Sequence, residues 1–433
     1  MINRLCLSPN EFPPASSFLI CERLMRSHLL ASFVWIAAVS LFCCGGAGLA
    51  SAQVNDLQAA LDNAVPGDVI EFSGTHFGSF ETRRNGTAAN PITIRGVGGN
   101  AVIQGFGTNN NSNRRGLEVF HDHYRIENFA IRDFIKGIWV ENADHGILRN
   151  LTVQNIGNEA FKFRDFSNYW LVENCSAINT GTLGIFGEGF YVGDADNNWE
   201  DINEPDTSGF ITFLNCYTSE TGNDGYDVKE GSHHVKFINC VADFTQRNPF
   251  ADPNTGDAGF YVRADCIQII DCTVIGLDGG QGNRPPSGFR LFEETVNGQV
   301  FGRNFEMAGI ATLMMGPDNA AVHLHRRSVA DSSILYDDYS LPGLLYQDDR
   351  RGLELPADLF VEKTWDGIGG QQFRGFVVLL GDVNLDEEVS FFDIAPFIAL
   401  LTSGDYQDEA DMNQDGAVDF LDISPFILAF AAQ

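Results

Sequence analysis

Apolar and polar residues alternate in seven short segments of the chain, most of which contain a Gly followed by an aromatic or aliphatic residue. In each segment the third and fifth positions are apolar, whereas the fourth and sixth are mostly polar or large. A period of two residues predicts β-strands with one buried face. The segments recur every 23–36 residues, which is typical of stacked structural repeats. They are KGIWVEN (136–142), EAFKFRD (159–165), EGFYVGD (188–194), DGYDVKE (224–230), AGFYVRA (258–264), SGFRLFE (287–293) and AAVHLHR (320–326).

A second repeat lies upstream of the first and places a polar residue, usually Asn, directly before Phe, Leu or Cys. Each unit therefore contains at least two short strands, and the constant order of equivalent residues requires successive units to run in parallel. Units stacked ~4.8 Å apart bury a continuous apolar core and align equivalent residues in ladders. The sequence thus predicts an all-β fold, a right-handed parallel β-helix solenoid. The polar ladder is expected at Asn128, Asn150, Asn174, Asn215, Asn239, Asp271 and Asn304, and the next column at Phe129, Leu151, Cys175, Cys216, Cys240, Cys272 and Phe305.

The stretch before the repeats predicts a cap for this solenoid. Asp56 is a favourable N-cap, residues 57–61 have a short amphipathic pattern, and Pro66-Gly67 stops the helix. Alternating strands broken by Gly, Asn and Pro follow at 69–72 and 85–96. We therefore expect a short N-terminal capping helix followed directly by the first strands.

These features together resemble the right-handed β-helix superfamily of pectate and other polysaccharide lyases, and the resemblance covers roughly residues 54–340. The opening segments PGDVI (66–70) and NPITI (90–94) are similar to those of β-helical lyases of the chondroitinase B and alginate lyase type. The resemblance implies a fold, whereas the reaction has to be argued from the site, because one fold can carry many chemistries.

Two similar segments near the C terminus predict a cation-binding module. DVNLDEEVSFFD (382–393) and DMNQDGAVDFLD (411–422) start 29 residues apart, and each precedes an apolar stretch. Both place oxygen-bearing side chains at loop positions 1, 3, 5, 9 and 12. A hard cation such as Ca²⁺ requires six or more oxygens from a loop that folds around it. The predicted ligands are Asp382, Asn384, Asp386, Ser390 and Asp393 in the first loop, and Asp411, Asn413, Asp415, Asp419 and Asp422 in the second.

This duplicated pattern resembles the dockerin type I module, an EF-hand-like unit in which Asp closes each loop and a single helix follows. The resemblance implies a small α-helical domain, Ca²⁺ as its cofactor and a cohesin-type protein partner. Glu387 stands where a loop Gly is expected, whereas Gly416 is present in the second loop. Because Gly permits the tight turn, we expect the first loop to bind Ca²⁺ more weakly.

The N-terminal residues have the features of an export signal. Residues 29–44 are apolar, follow Arg23 and Arg26, and precede the small-residue cleavage pattern Ala50-Ser51-Ala52. We expect cleavage near Ala52 and a secreted, cell-surface or periplasmic protein without a membrane span after cleavage; a start at Met1 or at Met25 is left open. The expected domains are a leader and signal peptide (1–52), a parallel β-helix (53–340), a last coil or linker (341–380) and the calcium-binding module (381–433).

The net charge of −31 restricts the partners. It would repel a nucleic acid, and we expect no such partner. An acidic polysaccharide would also be repelled unless a bound cation or a local basic patch reverses the field. The cysteines do not indicate a disulfide framework, since four of them occupy one inward column, where cysteine behaves as a small apolar residue.

A groove for a linear polymer is expected on the outward face of one strand column. The fourth and sixth positions of the seven segments combine aromatic rings with Lys, Arg and His. Rings can stack on sugars, and cationic groups can pair with their carboxylates. The predicted substrate-binding residues are Lys162, Arg164, Tyr191, Tyr261, Arg290 and His323.

Within this groove, residues 223–229 (NDGYDVK) concentrate the candidate chemistry. β-Elimination of a uronate requires neutralisation of its carboxylate, a base for the proton α to that carboxylate, and a donor for the leaving oxygen. Ca²⁺ on Asp194, Asp224 and Asp227 is expected to provide the first. Lys229 or Arg263 is expected to provide the second, if a neighbouring cation lowers its pKa.

The motif NDGYD (223–227) resembles the calcium motif of family 9 pectate lyases, and Arg263 then stands near the position implied for a catalytic Lys. A family 6-like arrangement, with Lys229 as the base and Arg263 as the acid, fits equally well. The assignment of base and acid stays open on the sequence alone.

Three functions remain open at this point, and one of them is not enzymatic. The first is an exported lyase that acts on an acidic polysaccharide. The second is a glycoside hydrolase on the same fold, with Asp194 and Asp227 as its paired carboxylates. The third is a non-catalytic carbohydrate-binding or scaffold protein that is attached through its C-terminal module.

Overall fold

The computed structural model describes most of residues 56–325 and shorter stretches beyond them. The expected leader (1–52) and most of the expected linker (341–380) lie outside the described residues. The described parts are 56–246 without 110, 112, 113, 185, 202 and 203, then 258–277, 286–292, 294–296, 299–302, 305–314, 320–325, 333–336, 344–347, 360–365, 368–373, 381, 383, 389–403, 410, 412 and 418–431.

The strands form three long sheets, which we call A, B and C, and the chain visits them in that order in each coil. Neighbouring coils pair in parallel throughout the solenoid, as expected for a parallel β-helix. Sheet A contains Val69–Phe72, Ile92–Gly96, Tyr124–Glu127, Ile147–Arg149, Leu171–Glu173, Gly209–Leu214, His233–Ile238, Ile267–Ile270, Phe305–Leu313, Ser333–Tyr336, Phe360–Trp365 and Ile368–Phe373. Sheet B contains Thr75–Phe77, Val102–Gln104, Ala130–Phe134, Thr152–Ile156, Ser176–Ile178, Tyr217–Ser219, Val241–Asp243 and Thr273–Ile275. Sheet C contains Phe80–Glu81, Arg115–Val119, Lys136–Glu141, Phe161–Arg164, Phe190–Val192, Tyr226–Val228, Ala258–Val262, Ser287–Leu291, Ala320–His325 and Leu344–Gln347.

Two elements depart from this plain solenoid. Strands Glu294–Val296 and Gln299–Phe301 form an antiparallel hairpin beside sheet C. At the far end, Phe360–Trp365 and Ile368–Phe373 also pair in antiparallel fashion, so the regular coil repeat ends before them. The seven segments predicted as strands all lie in sheet C, which confirms that part of the repeat.

The predicted polar ladder forms the turn between sheets A and B. Its members have positive φ angles of 51–68°, a conformation that Asn adopts more readily than most residues. From Asn150 to Asn239, each Asn amide donates to the Asn of the preceding coil, with Asn150 to Asn128 at 2.8 Å and Asn174 to Asn150 at 3.2 Å. The ladder continues through Asn215 and Asn239. The turn is therefore repeated with the same geometry from coil to coil.

The predicted alignment of Phe305 with the cysteine column was wrong, and Asn304, the last predicted member of the polar ladder, lies outside the described residues. Phe305 pairs with Ile267 in sheet A, and it does not occupy the column of Cys272. The strand Phe305–Leu313 continues through the bend and pairs with both sheet A and sheet B. Its buried Phe305 and Met307 continue the inward pattern of sheet A, so apolar register decides the alignment here.

Stacked rings and thiols fill the core. The inward column of sheet C is a pile of rings whose centroids are 4.5–5.1 Å apart. The four predicted ladder cysteines are buried and free, as expected. The Cys216 and Cys240 thiols donate to backbone carbonyls of the neighbouring coil. The ring column consists of Phe161, Phe190, Tyr226, Phe260 and Phe289.

The predicted cap is present as helix Leu57–Asn63. Asp56 accepts a hydrogen bond from the backbone N–H of Ala59 at 3.0 Å and caps the first turn. Leu57 and Leu61 are buried against the first coil and join the solenoid core. The open end of the apolar core is thus covered by a helix that carries two leucines on one face.

The C-terminal module has its own small core, built from two similar halves. Helices Ile394–Ser403 and Ile423–Ala431 bring Phe397 and Phe426 into parallel stacking, with ring centroids 4.0 Å apart. These two residues are 29 positions apart, as the duplicated segments require. Within the described stretches, no helix is long and apolar enough to cross a membrane.

Candidate active site and calcium loops

The fourth positions of the seven segments form one continuous column on the outer side of sheet C. The backbone pairs them in register from coil to coil, and these side chains are absent from the apolar core cluster, which contains the third and fifth positions instead. The predicted alignment of this column is therefore confirmed. In order along the solenoid it reads Trp139, Lys162, Tyr191, Asp227, Tyr261, Arg290 and His323.

Most side chains of this column are covered. Lys162 and Tyr191 are each 6% exposed, and Arg290 and His323 are 2% and 1% exposed. These four side chains are therefore not open for direct contact with a polymer, contrary to what their positions in the sequence suggest. Arg164 and Tyr261 retain partial exposure.

Lys162 and Arg164 have a partner within the protein. The Lys162 ammonium lies 2.9 Å from Oδ1 of Asp194, and the Arg164 guanidinium lies 2.5 Å from Oδ2. The Lys162 ammonium also lies 4.3 Å from the ring centroid of Tyr191. Asp194 and Asp227 belong to separate groups of acidic residues, so the pairing of Asp194 with Asp227 that a hydrolase would use is not supported.

The predicted residues Lys229, Asp227 and Arg263 come together, as expected. The Lys229 ammonium lies 2.6 Å from Oδ2 of Asp227, and the Arg263 guanidinium lies 3.4 Å from Oδ1. Arg263 also contacts Glu230 at 3.3 Å. The side chains of Lys229 and Arg263 are each 12% exposed, whereas Asp227 is buried. The two cations thus form the accessible part of this cluster.

The pKa of Lys229 differs from the expectation that a neighbouring cation lowers it. Burial and Arg263 do disfavour the ammonium, but the carboxylates of Asp227 and Glu188 outweigh them. The pKa of Lys229 is therefore raised above its ordinary value. Lys229 holds its proton as long as Asp227 keeps its charge beside it.

The carboxylate cluster differs in one member from the predicted set of Asp194, Asp224 and Asp227. Asp224 and Asp227 meet Glu188, and ligand atoms of these three buried residues lie within 4.8 Å of one another. Asp194 belongs to a separate group with Asp165 and Asp206. Asp194 follows the strand Phe190–Val192, whereas Glu188 and Asp224 precede their strands, so Asp194 does not share their column.

Glu188 was missed, although a signal for it exists in the repeat. Glu159, Glu188 and Asp224 all occupy the first position of their segments. Glu188 accepts hydrogen bonds from Asn223 Nδ2 and from the backbone N–H of Gly187, each at 3.0 Å. Its neighbour in the column, Glu159, is paired with Lys136 at 2.7 Å. Columns of first positions therefore carry charge as consistently as the fourth positions do.

The donor set of Glu188, Asp224 and Asp227 fits a hard cation. All three groups are carboxylates, which Ca²⁺ prefers as ligands. Burial, together with the nearby carboxylates of Glu159 and Asp227, raises the pKa of Glu188. Such crowding of acidic groups is relieved by a bound cation. Asp224 Oδ1 also accepts the backbone N–H of Ala258 at 2.7 Å, which fixes its orientation.

The insertion at 194–209 forms a wall over this cluster. It contains the 3₁₀ helix Asp196–Asp201, whose first backbone N–H donates to Glu230 Oε1 at 2.8 Å. Trp199 is buried and its ring packs against Phe301 of the hairpin, with centroids 5.6 Å apart. The other long insertions, 245–257 and 278–287, lie largely outside the described residues.

In the C-terminal loops, the structure describes the predicted ligands at positions 9 and 12 only. Asp393 and Asp422 are fully buried, and each accepts the backbone N–H of the position-9 residue of its loop. From Asp382 onward the chain has no Lys or Arg, so no basic side chain of this segment can neutralise these two acids. The donor sets fit Ca²⁺. The remaining predicted ligands, Asp382, Asn384, Asp386, Asp411, Asn413 and Asp415, lie outside the described residues.

Comparison with known protein families explains this duplicated module. Residues 380–427 match the dockerin type I domain. The match covers the two loops and most of both helices of the C-terminal module, which is thus a dockerin type I domain. A comparison with curated proteins finds no match.

Solved structures with a similar fold include several polysaccharide lyases. An alginate lyase from Paenibacillus sp. str. FPU-7 is 26% identical, with a TM-score of 0.57, and the alignment covers 67% of this chain and 95% of that enzyme. The pectate lyase Pel9A is 16% identical, with a TM-score of 0.46 and coverage of 61% and 72%. A rhamnogalacturonan lyase is 13% identical, with a TM-score of 0.46 and coverage of 68% and 77%.

Proposed function

We propose that the β-helix is a lyase that cleaves an acidic, uronate-containing polysaccharide by β-elimination. The observation that carries this proposal is the cluster on sheet C in which Lys229 and Arg263 flank the buried Asp227. The similarity to the alginate lyase from Paenibacillus supports the class of substrate. The dockerin type I domain supports a role outside the cell, which agrees with the expected export signal.

The two cations have different capacities in such a reaction. An Arg guanidinium does not release its proton in proteins, so Arg263 is suited to pairing with the uronate carboxylate and to stabilising the charge that develops there. A Lys ammonium can exchange its proton, which makes Lys229 the proton-transfer residue of the pair. Of the two arrangements left open by the sequence, the one with Lys229 as base is therefore favoured.

Deprotonation of Lys229 depends on what happens at Asp227. The charges of Asp227 and Glu188 hold the proton on Lys229, whereas burial and Arg263 act against it. Neutralisation of these carboxylates would leave only the two effects that lower the pKa of Lys229. Lys229 would then be able to accept the proton α to the uronate carboxylate, while the glycosidic C–O bond breaks and solvent water supplies a proton to the leaving oxygen.

We further propose Ca²⁺ as the cation that assists this site. Glu188, Asp224 and Asp227 would hold it through carboxylate oxygens. When bound, Ca²⁺ supplies positive charge that offsets the acidic cluster and the charge of a uronate. Asp194, which the sequence placed among the ligands, remains with Lys162 and Arg164 in this proposal.

The test is the absorbance of unsaturated uronates, measured over alginate, pectate and glycosaminoglycans with and without Ca²⁺. We expect one of these polymers to be cleaved and Lys229→Ala to lower kcat at least ~100-fold, the usual size of a general acid–base contribution. Lys236→Ala is the matched control, because Lys236 lies on sheet A. Activity of Lys229→Ala equal to that of the control would overturn the role of Lys229. Binding of a polymer without unsaturated product would favour the non-catalytic alternative.

The dockerin domain is proposed to attach the enzyme to a cohesin-type partner. Several large apolar side chains of this domain are strongly exposed, which is unusual for a free surface. Four of them form two pairs 29 positions apart, Phe392 with Leu421 and Ile398 with Ile427, so each half of the module offers a similar apolar patch. The exposed side chains are Phe392, Ile398, Phe420, Leu421, Ile427 and Leu428.

A further inference from the structure

Four cationic side chains surround the ring of Trp139 on sheet C. The guanidinium carbon of Arg115 lies 3.9 Å from the ring centroid, and the Lys136 ammonium lies 4.7 Å from it. Lys162 and Arg164 approach the same ring at 5.2 Å. The indole N–H of Trp139 donates to Glu141, and the ring itself is buried. Arg115 and Lys136 have no part in the site described above.

The ion pairs of these cations differ in how much solvent reaches them. A buried pair serves the structure of the protein, whereas a partly exposed pair can open to bind a ligand. Lys162 and Asp194 are 7% and 0% exposed, so their pair is part of the interior. Arg115 and Glu118 are 29% and 22% exposed, with 2.5 Å between them. Water screens a partly exposed ion pair more than a buried one, so it is held less strongly. Arg115 can therefore exchange Glu118 for an incoming carboxylate at small cost.

Arg115 lies on the same sheet as the candidate active site, several coils away from it. Arg115 pairs in register with Lys136, and their strands lie four and three coils before the strand of Asp227. Four coils correspond to roughly 19 Å along the solenoid, which several units of an extended polymer would span. Among the residues that the structure describes, seven basic residues lie in sheet C strands or directly after them. These seven residues are Arg115, Lys136, Lys162, Arg164, Lys229, Arg263 and Arg290.

We propose that Arg115, stacked on Trp139 and flanked by Lys136, is a distal subsite that binds the carboxylate of a uronate unit far from the bond that is cleaved. The indole ring lies 3.9 Å from the guanidinium carbon and restricts the side chain of Arg115, which reduces the entropy lost on binding. A planar guanidinium binds a carboxylate through two parallel hydrogen bonds. This inference rests on the proposed function, since it assumes an acidic polymer lying along sheet C.

The experiment measures binding of alginate and pectate by affinity electrophoresis, so that binding is observed independently of cleavage. We expect Arg115→Gln to weaken binding about tenfold, as the loss of a charge-assisted hydrogen bond implies. Arg115→Lys keeps the charge but loses the planar fork, and it should bind with intermediate strength. Arg125→Gln is the matched control with the same change in charge, because Arg125 is exposed on sheet A. Circular dichroism and thermal unfolding of each variant exclude misfolding.

Two results would overturn the subsite. If Arg115→Gln binds as the wild type does, Arg115 does not contact the polymer. If Arg125→Gln weakens binding equally, the effect is one of net charge. Binding by the wild type without cleavage, together with weaker binding by Arg115→Gln, would remove the lyase proposal and retain the subsite. Absence of binding to any uronate polymer would remove both.

Discussion

At the residue scale, Asn174 shows how one side chain supports the stacking of coils. Its φ of 53° is unfavourable for a residue with a Cβ, and its amide connects Asn150 with Asn215. We expect Asn174→Ala to lower the free energy of unfolding, measured in urea, by ~2–3 kcal/mol. This figure is the sum of the cost of the left-handed conformation for Ala and the cost of the lost amide hydrogen bonds. Asn174→Gly keeps the conformation accessible and should lose only ~1 kcal/mol. Equal stability of the two variants would show that the left-handed conformation does not contribute to the loss.

The residue scale is also where the sequence was least informative about the site. The column of Lys162, Tyr191 and Arg290 could be read from the repeat, because strand period and repeat length determine which residues align. Their burial could not be read from it, because it depends on contacts between coils, such as those of Lys162 with Asp194 and with the ring of Tyr191. The exchange of Asp194 for Glu188 in the acidic cluster follows from their positions at opposite ends of one strand, which nearness in the sequence does not reveal.

At the element scale, the column of four cysteines lies at the start of sheet B and provides a probe of the core. Burial raises the pKa of Cys175 to about 12, so almost none of it is thiolate at pH 8. Only the thiolate reacts readily with alkylating reagents. We expect no alkylation by iodoacetamide in the native protein at pH 8 and complete alkylation in guanidinium, measured by peptide mass spectrometry. The peptides to be followed contain Cys175, Cys216, Cys240 and Cys272.

Rapid alkylation of these peptides in the native state would show that the ladder opens. An exposed thiol peptide serves as the control for the reagent. The outcome also bears on export, because buried thiols are protected from oxidation once the solenoid has formed.

Helices and strands that follow local sequence patterns could be predicted, whereas the strand that departs from the coil repeat could not. The helix Leu57–Asn63 and the seven strands of sheet C follow from local patterns. The strand Phe305–Leu313 carries a false copy of the Asn motif, and only its pairing with Ile267–Ile270 reveals the true register. A motif of five residues has less weight than the apolar register of two neighbouring strands.

At the scale of the whole molecule, charge is distributed unevenly between the parts of the chain. Basic side chains are concentrated along sheet C, whereas the C-terminal module has none after Asp382. The solenoid is held by an apolar core and by ladders, which do not depend on a cation. The C-terminal module has a small core and two buried aspartates, so we expect its stability to depend on cation binding.

This difference leads to a prediction for calcium removal from the full chain. Chelation by EGTA should unfold residues 382–433 and leave the β-helix intact, which hydrogen exchange resolved by peptide can measure.

The loop with Gly416 should bind Ca²⁺ more tightly than the loop with Glu387. A residue other than Gly at the sharp turn makes the free energy of Ca²⁺ binding ~1 kcal/mol less favourable, which raises Kd about fivefold. Asp411→Ala and Asp415→Ala should therefore weaken the tighter site, and Asp382→Ala the weaker one, in calorimetric titration. Equal affinity of both loops would contradict the role of Glu387, and protection of residues 382–433 that survives EGTA would show that the module folds without calcium.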